Sequence, residues 1–149
     1  MARAEEWIGE GAKPYLEPGE DILAALVAQP RGRTQAVAGN LALGESKEAR
    51  NVAAGEQAGF RLESPMALAL TGRRLLALSI SNPVGMGVSG EVKGVLSEAP
   101  ISDVSLEVKK LLLGSRITLT VRGVEMKLEA GAGAKAKPLA EELERLKRG

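Results

Sequence analysis

The stretch Ile117-Thr118-Leu119-Thr120-Val121-Arg122-Gly123-Val124-Glu125-Met126-Lys127-Leu128-Glu129 decides the fold. Ile117, Leu119 and Val121 alternate with polar residues, and so do Val124, Met126 and Leu128. A period of two marks a strand with one buried face and one wet face. Arg122-Gly123 lies between the two runs and reads as a two-residue hairpin loop. The segment therefore predicts two antiparallel strands with those six apolar residues inside.

The same pattern extends upstream. Val104, Leu106 and Val108 alternate with Ser105, Glu107 and Lys109, and Gly114 marks the turn that follows. Met66-Ala67-Leu68-Ala69-Leu70 alternates large and small side chains, Thr71-Gly72 turns the chain, and 73–80 returns as a strand. A loop over 81–90 leads to a strand over 92–96, which Ala99-Pro100 ends. Nearer the start, Glu17-Pro18-Gly19-Glu20 is a turn, with proline and glycine at its two central positions. The run Ile22-Leu23-Ala24-Ala25-Leu26-Val27 after it predicts a buried strand over 21–29, although a short apolar run is also compatible with a helix.

Three segments lie outside this β pattern. Residues 1–16 form an N-terminal helical segment, weakened by Gly9, Gly11 and Pro14. Residues 31–63 are rich in Ala, Gly, Gln, Asn and charge, and poor in large apolar residues. They are expected to be a long insert or mobile connection after the first strand, with a helix over 47–58 capped by Ser46 and ended by Gly59. Its apolar face would be Ala49, Val52 and Ala53. At the other end, 136–148 is an amphipathic helix with Pro138 in its first turn. Leu139, Leu143 and Leu146 form its stripe, with Glu141–Arg145 and Glu144–Arg148 pairs on its wet face.

Composition narrows the function. The 149 residues make one domain's worth of chain. Lys and Arg number 20 against 19 Asp and Glu, and the resulting net charge of +1 gives no support to nucleic-acid binding. Histidine and cysteine are absent, which removes disulfides, thiol nucleophiles, His or Cys metal ligands and imidazole acid–base chemistry. Trp7, Tyr15 and Phe60 are the only aromatics, too few for a base-stacking platform. The N-terminus turns acidic at Glu5-Glu6, unlike a signal peptide, and the longest uncharged stretch, 75–90, is broken by Pro83 and three glycines. The expected location is cytoplasmic, with the membrane periphery as the alternative.

Several of these segments carry a resemblance. Leu16-Glu17-Pro18-Gly19-Glu20 resembles the opening turn of bacterial pleckstrin-homology-like (PH-like) proteins. Leu68-Ala69-Leu70-Thr71-Gly72-Arg73-Arg74-Leu75-Leu76 is similar to a hairpin of theirs, Pro100-Ile101-Ser102-Asp103-Val104 to a later step, and Leu119-Thr120-Val121-Arg122-Gly123-Val124-Glu125 to the last hairpin. The resemblance implies a mainly β fold, a curled antiparallel barrel or sandwich of about seven strands with a C-terminal helix across one end. The resemblance covers roughly 16–148, with the 31–63 insert excepted, and the chain 1–149 would be a single domain. These motifs are structural, and the fold alone implies no activity.

The candidates for chemistry are few. Gly85-Met86-Gly87-Val88-Ser89-Gly90-Glu91-Val92 matches a phosphate-cradling G-x-G-x-x-G, but a strand follows where a nucleotide site needs a helix, so the plainer reading is a loop. Ser89 with Lys93 is the remaining nucleophile and base pairing. Glu5-Glu6 and Glu141-Glu142 are adjacent in sequence and do not share a helix face. No catalytic residue, cofactor or metal site is therefore assigned, and the chain is not expected to be an enzyme.

Arg31-Gly32-Arg33 resembles the basic ending of the first loop in phosphoinositide-binding PH domains. With Arg73 it forms the candidate contact for anionic lipid or phosphate. Arg73-Arg74 and Lys109-Lys110 lie at hairpin ends, where charge also blunts sheet edges. The insert offers small residues around Gly39 and Gly44 for close docking. The leading expectation is a non-enzymatic module for protein association or self-association through the insert or a sheet edge. Peripheral binding of anionic lipid is the alternative, expected to be weak for want of more cations and an aromatic anchor.

Overall fold

The computed structural model describes residues 4–30, 41–63, 65–81, 90–131 and 134–149, with the backbone alone over 41–48. The strands are β1 (Ile22–Pro30), β2 (Met66–Thr71), β3 (Arg74–Ile80), β4 (Val92–Pro100), β5 (Val104–Leu111), β6 (Gly114–Val121) and β7 (Val124–Ala130). The helices are α1 (Ala4–Ala12), α2 (Leu41–Ala58) and α3 (Ala136–Arg148). All strand pairs are antiparallel, and the sheet runs β4-β3-β2-β1-β7-β6-β5. The mainly β expectation with a C-terminal helix holds. The predicted strands are present, and β4 continues to Pro100 instead of stopping near residue 96.

The sheet curls but does not close. β4 and β5 are its two edges, yet only the short 3-10 turn Ile101–Asp103 separates them in the chain. Six strand spacings would put the edges of a flat sheet roughly 29 Å apart. The four residue steps from Pro100 to Val104 reach about 14 Å at most. The sheet must therefore wrap until its edges approach one another at this corner. The two halves join where β1 meets β7: among the described residues they pair at Gln29↔Glu129 and Pro30↔Leu128.

The wrapped sheet encloses one core. Leu26, Met66, Leu68, Leu70 and Leu75 from the first half meet Val104, Ile117, Leu119, Met126 and Leu128 from the second. Of the six residues predicted inside β6 and β7, five are buried and Val124 is half-buried. A smaller apolar layer lies on the other face of the first half, where α1 covers it with Ile8 and Ala12. This arrangement explains the alternation of β2: its large residues enter the main core, while Ala67 and Ala69 lie beneath α1. Gly11 weakens the helix in isolation but lets it approach the sheet, since a Cβ there would lie 2.8 Å from Val92 Cγ2.

The 31–63 segment departs from the expectation of an insert that adds little to the core. α2 starts at Leu41, so Ser46 lies inside it, and it ends as predicted before Gly59, whose φ is +72°. It packs on β7 and reaches β1. Asn51 Oδ1 accepts the Lys127 backbone N–H at 2.9 Å. The buried face is Gly55 and Ala58, with Val52 and Ala54 half-buried, while Ala49 and Ala53 are exposed. The chain then sends Phe60 and Leu62 into the main core, and Phe60 is wholly enclosed.

α3 lies against β5 and β1 and buries Leu139 and Leu143, with Leu146 half-buried against the same core. Lys147 Nζ donates to the Val104 carbonyl at 2.7 Å, which ties the helix to the start of β5. Arg145 pairs with Glu142, not with Glu141, so the contact spans three residues instead of four. Leu143→Ala is expected to cost ~2–5 kcal/mol, as for truncation of a fully buried leucine. Urea unfolding gives the value. A loss below roughly 0.5 kcal/mol, the range of surface substitutions, would show that α3 does not seal the core.

Candidate functional site

Two features are built from the residues that carry charge or exposed apolar surface, and they lie at opposite ends of the sheet. At one end, Glu20 closes the turn before β1 and Thr71 closes β2. Arg74 opens β3. The Glu20 side chain is 1% exposed and that of Arg74 13%. Arg74 donates from Nε to Glu20 Oε2 at 2.9 Å and from Nη2 to Oε1 at 2.8 Å, a bidentate fork. The Thr71 hydroxyl donates to Glu20 Oε2 at 2.7 Å and accepts the backbone N–H groups of Arg73 and Arg74, each at 3.1 Å. The Glu17 N–H donates to Glu20 Oε1 at 3.0 Å. Arg74 also reaches Glu98 on β4 and the Tyr15 carbonyl.

The Arg74 hydrogen bonds hold the Glu20 carboxyl at a pKa of about 2, down from 4.5, despite opposition from burial. The N–H of Glu17 and the hydroxyl of Thr71 act in the same direction. Arg74 shifts up in return, chiefly through its hydrogen bonds to Glu20. Arg74 is thus a buried partner and not a sheet-edge charge, as its hairpin position had implied. Every polar group of this cluster is engaged within the fold, so the cluster acts as structural glue.

The sequence-derived candidates are scattered. Arg31 and Arg33 lie outside the described residues, as do Ser89 and the glycine loop up to it. Arg73 is exposed, and its guanidinium meets Glu17 Oε2 at 3.0 Å. Lys93 is exposed on β4, where its carbonyl accepts the Tyr15 hydroxyl at 3.2 Å. Glu5 pairs with Lys135 at 3.2 Å. Among the described residues, no cluster of three or more acidic side chains is placed to hold a metal. A recess of about 290 Å³ on the β5-β6-β7 surface is lined by Glu107, Lys109, Arg116, Thr118 and Lys127, a mixture of signs that selects no single ligand charge.

The opposite end carries what the sequence reading missed. Leu112 and Leu113 form the loop between β5 and β6, and they are 96% and 85% exposed. No other large apolar side chain among the described residues exceeds 43%. Lys109, Lys110 and Arg116 flank them, all exposed and in no ion pair among the described residues. The turn itself does not need leucine. The Arg122-Gly123 hairpin has positive φ at both residues, +50° and +82°, whereas neither Leu112 nor Leu113 does. The strained position falls on Gly114, at φ +124°, where a Cβ would stand 2.4 Å from the Ala130 carbonyl oxygen. The available signal was the run Leu111-Leu112-Leu113, which breaks the alternation where a turn should be polar.

No protein-family model matches the chain, and no curated protein matches it. Among the described residues no helix is long and apolar enough to cross a membrane.

The Glu20 cluster predicts an acid-sensitive fold. A depressed native pKa makes the contribution complete above pH 4.5, and protonation removes it as the pH falls from 4.5 toward 2. Urea unfolding across that window is expected to lose stability more steeply in the wild type than in Glu20→Gln. Equal slopes would remove Glu20 from that role. At neutral pH, Arg74→Met is expected to cost about 3–5 kcal/mol by leaving Glu20 charged and buried, and adding Glu20→Leu should recover part of it.

Proposed function

We propose that this chain is a non-enzymatic interaction module built on a PH-like scaffold, with its working surface at the tip of the β5–β6 hairpin. The strand order, the curl forced at the Ile101–Asp103 corner and the C-terminal helix sealed against β5 support the scaffold. So does the way two of the resembling segments serve: Glu17–Glu20 and Thr71–Arg74 bond to each other, a structural task.

One observation carries the functional reading. Leu112 and Leu113 stand in water with no folding reason to do so. Burying a leucine that is otherwise exposed gains about 1.5–3 kcal/mol, so an adjacent exposed pair is a ready source of binding free energy. The reading moves the contact from the insert and from Arg31, Arg33 and Arg73 to a different place. Residues 41–63 already supply α2, Phe60 and Leu62 to the fold, and Arg73 faces Glu17.

In extracts of the native host, the wild-type chain is expected to travel with a larger soluble or membrane fraction. Leu112→Ser/Leu113→Ser should run as the free chain with an unchanged unfolding midpoint. Size-exclusion chromatography after differential centrifugation reads both. If the wild type also runs free, the interaction reading fails.

A further inference from the structure

Resting on the interaction-module reading, we propose that the β5–β6 hairpin is a wedge for an anionic lipid surface: Leu112 and Leu113 enter the boundary between headgroups and acyl chains, while Lys109, Lys110 and Arg116 take lipid phosphates. The apolar part of the argument is the two leucines at a convex tip, side by side and almost fully exposed. The polar part is charge. From Val108 to Val124 the chain contains no Asp or Glu, and three of its cations lie within a few residues of the leucines. Lys109 and Lys110 are consecutive on a strand, so they leave the hairpin on opposite faces. Arg116 is in register with Lys109 across the hairpin. Two cations placed side by side repel one another; Glu129 flanks Arg116 on its other side, while Lys109, on the edge strand β5, has no second neighbouring strand.

Shape favours a bilayer over a second protein. A stable protein interface hides about 800 Å² on each partner. A two-residue turn with its flanking lysines is far smaller and lacks a flat apolar surround. A bilayer asks only that apolar side chains reach past the headgroups, with cations level with the phosphates above them. The nearest acids on the surrounding strands are Glu107, two residues further from the tip than Lys109, and Glu129, level with Arg116 on β7. Glu129 already accepts a hydrogen bond from Gln29 at 3.1 Å. The sequence had suggested weak lipid binding for lack of an aromatic anchor; the leucine pair supplies an aliphatic one.

The test uses the full chain and vesicles of phosphatidylcholine, with or without phosphatidylserine. The wild type is expected to sediment with the phosphatidylserine vesicles, and less as salt rises and screens the phosphates. Leu112→Ser/Leu113→Ser should weaken sedimentation by about tenfold or more. Lys109→Gln and Lys110→Gln should each weaken it roughly fivefold. Leu113→Trp adds a direct readout, because brominated acyl chains should quench its fluorescence above the background of Trp7 measured in the unsubstituted chain. Absence of sedimentation, sedimentation indifferent to the leucines, or no quenching would overturn the proposal. If light scattering instead shows a concentration-dependent dimer that Leu112→Ser/Leu113→Ser abolishes, the tip serves a second copy. The lipid proposal then falls while the interaction-module reading stands.

Discussion

The bond between the Glu20 carboxylate and the Arg74 guanidinium holds the rest of the sheet in register. Arg74 is paired across the ladder with Pro100, the last residue of β4, and Ile101 N–H donates to the neighbouring Arg73 carbonyl at 3.1 Å. The fork on Glu20 thus fixes the turn before β1, the β2–β3 hairpin and the β4–β5 corner in a single network. That corner is where the chain passes from one edge of the sheet to the other. Asp103 extends the network by accepting the Arg122 N–H at 2.9 Å and by meeting its guanidinium at 3.3 Å. Arg122 in turn donates to the last carbonyl of α2 at 2.9 Å. A buried ion pair by itself is weak evidence of net stability, because desolvating two charges offsets most of their attraction. Its strength here lies in geometry: Glu20 has specific partners on three sides, and a shifted β2–β3 register would strand it.

This network divides the labour between the ends of the molecule. At the corner end, turns, helix ends and charged side chains are bonded to one another. β5 starts there and carries the chain roughly 25 Å away to the leucine loop. The charged side chains that flank this loop are in no ion pair among the described residues, and its apolar side chains stand outside the core. A rigid hairpin fixed at its far end by Lys147 and α3 presents such a loop without ordering it anew on contact, which lowers the entropic cost of binding.

The elements legible in the sequence were those in which a local pattern and the tertiary environment agree. β6 and β7 alternate because one face meets the core and the other meets water, and α3 shows its stripe because only one side is covered. The large–small alternation of β2 was visible too, but its cause was not. Both faces are buried, and α1 requires alanines where it presses on the sheet. The misreadings came from long-range partners. Phe60 lies in a polar, glycine-rich context and is a core residue only because the chain leaving α2 carries it into the enclosed cluster. Arg74 looks like any hairpin charge until Glu20, 54 residues upstream, is brought beside it. Leu112 and Leu113 were passed over because no polar residue marks the turn before Gly114, and only that turn puts them outside.

The energetics of the tip set the kind of binding it supports. Full immersion of two leucines is worth about 3–6 kcal/mol, and each cation near an anionic surface adds about 1 kcal/mol. Against that stands the freedom lost when a protein is held at a surface, a cost of several kcal/mol in most estimates. The balance resembles that of a single myristoyl chain, whose attachment is reversible and marginal without a second signal. A contact of this strength responds to conditions. Exposed lysines and Arg116 are screened over about 10 Å at 0.1 M salt, so modest changes in ionic strength or in anionic lipid content shift the bound fraction widely. A second tip acting alongside the first would multiply the attachment, because the second contact forms at high effective concentration. The lone wedge is thus suited to a transient encounter at a charged surface, and lasting residence there requires another anchor or another copy.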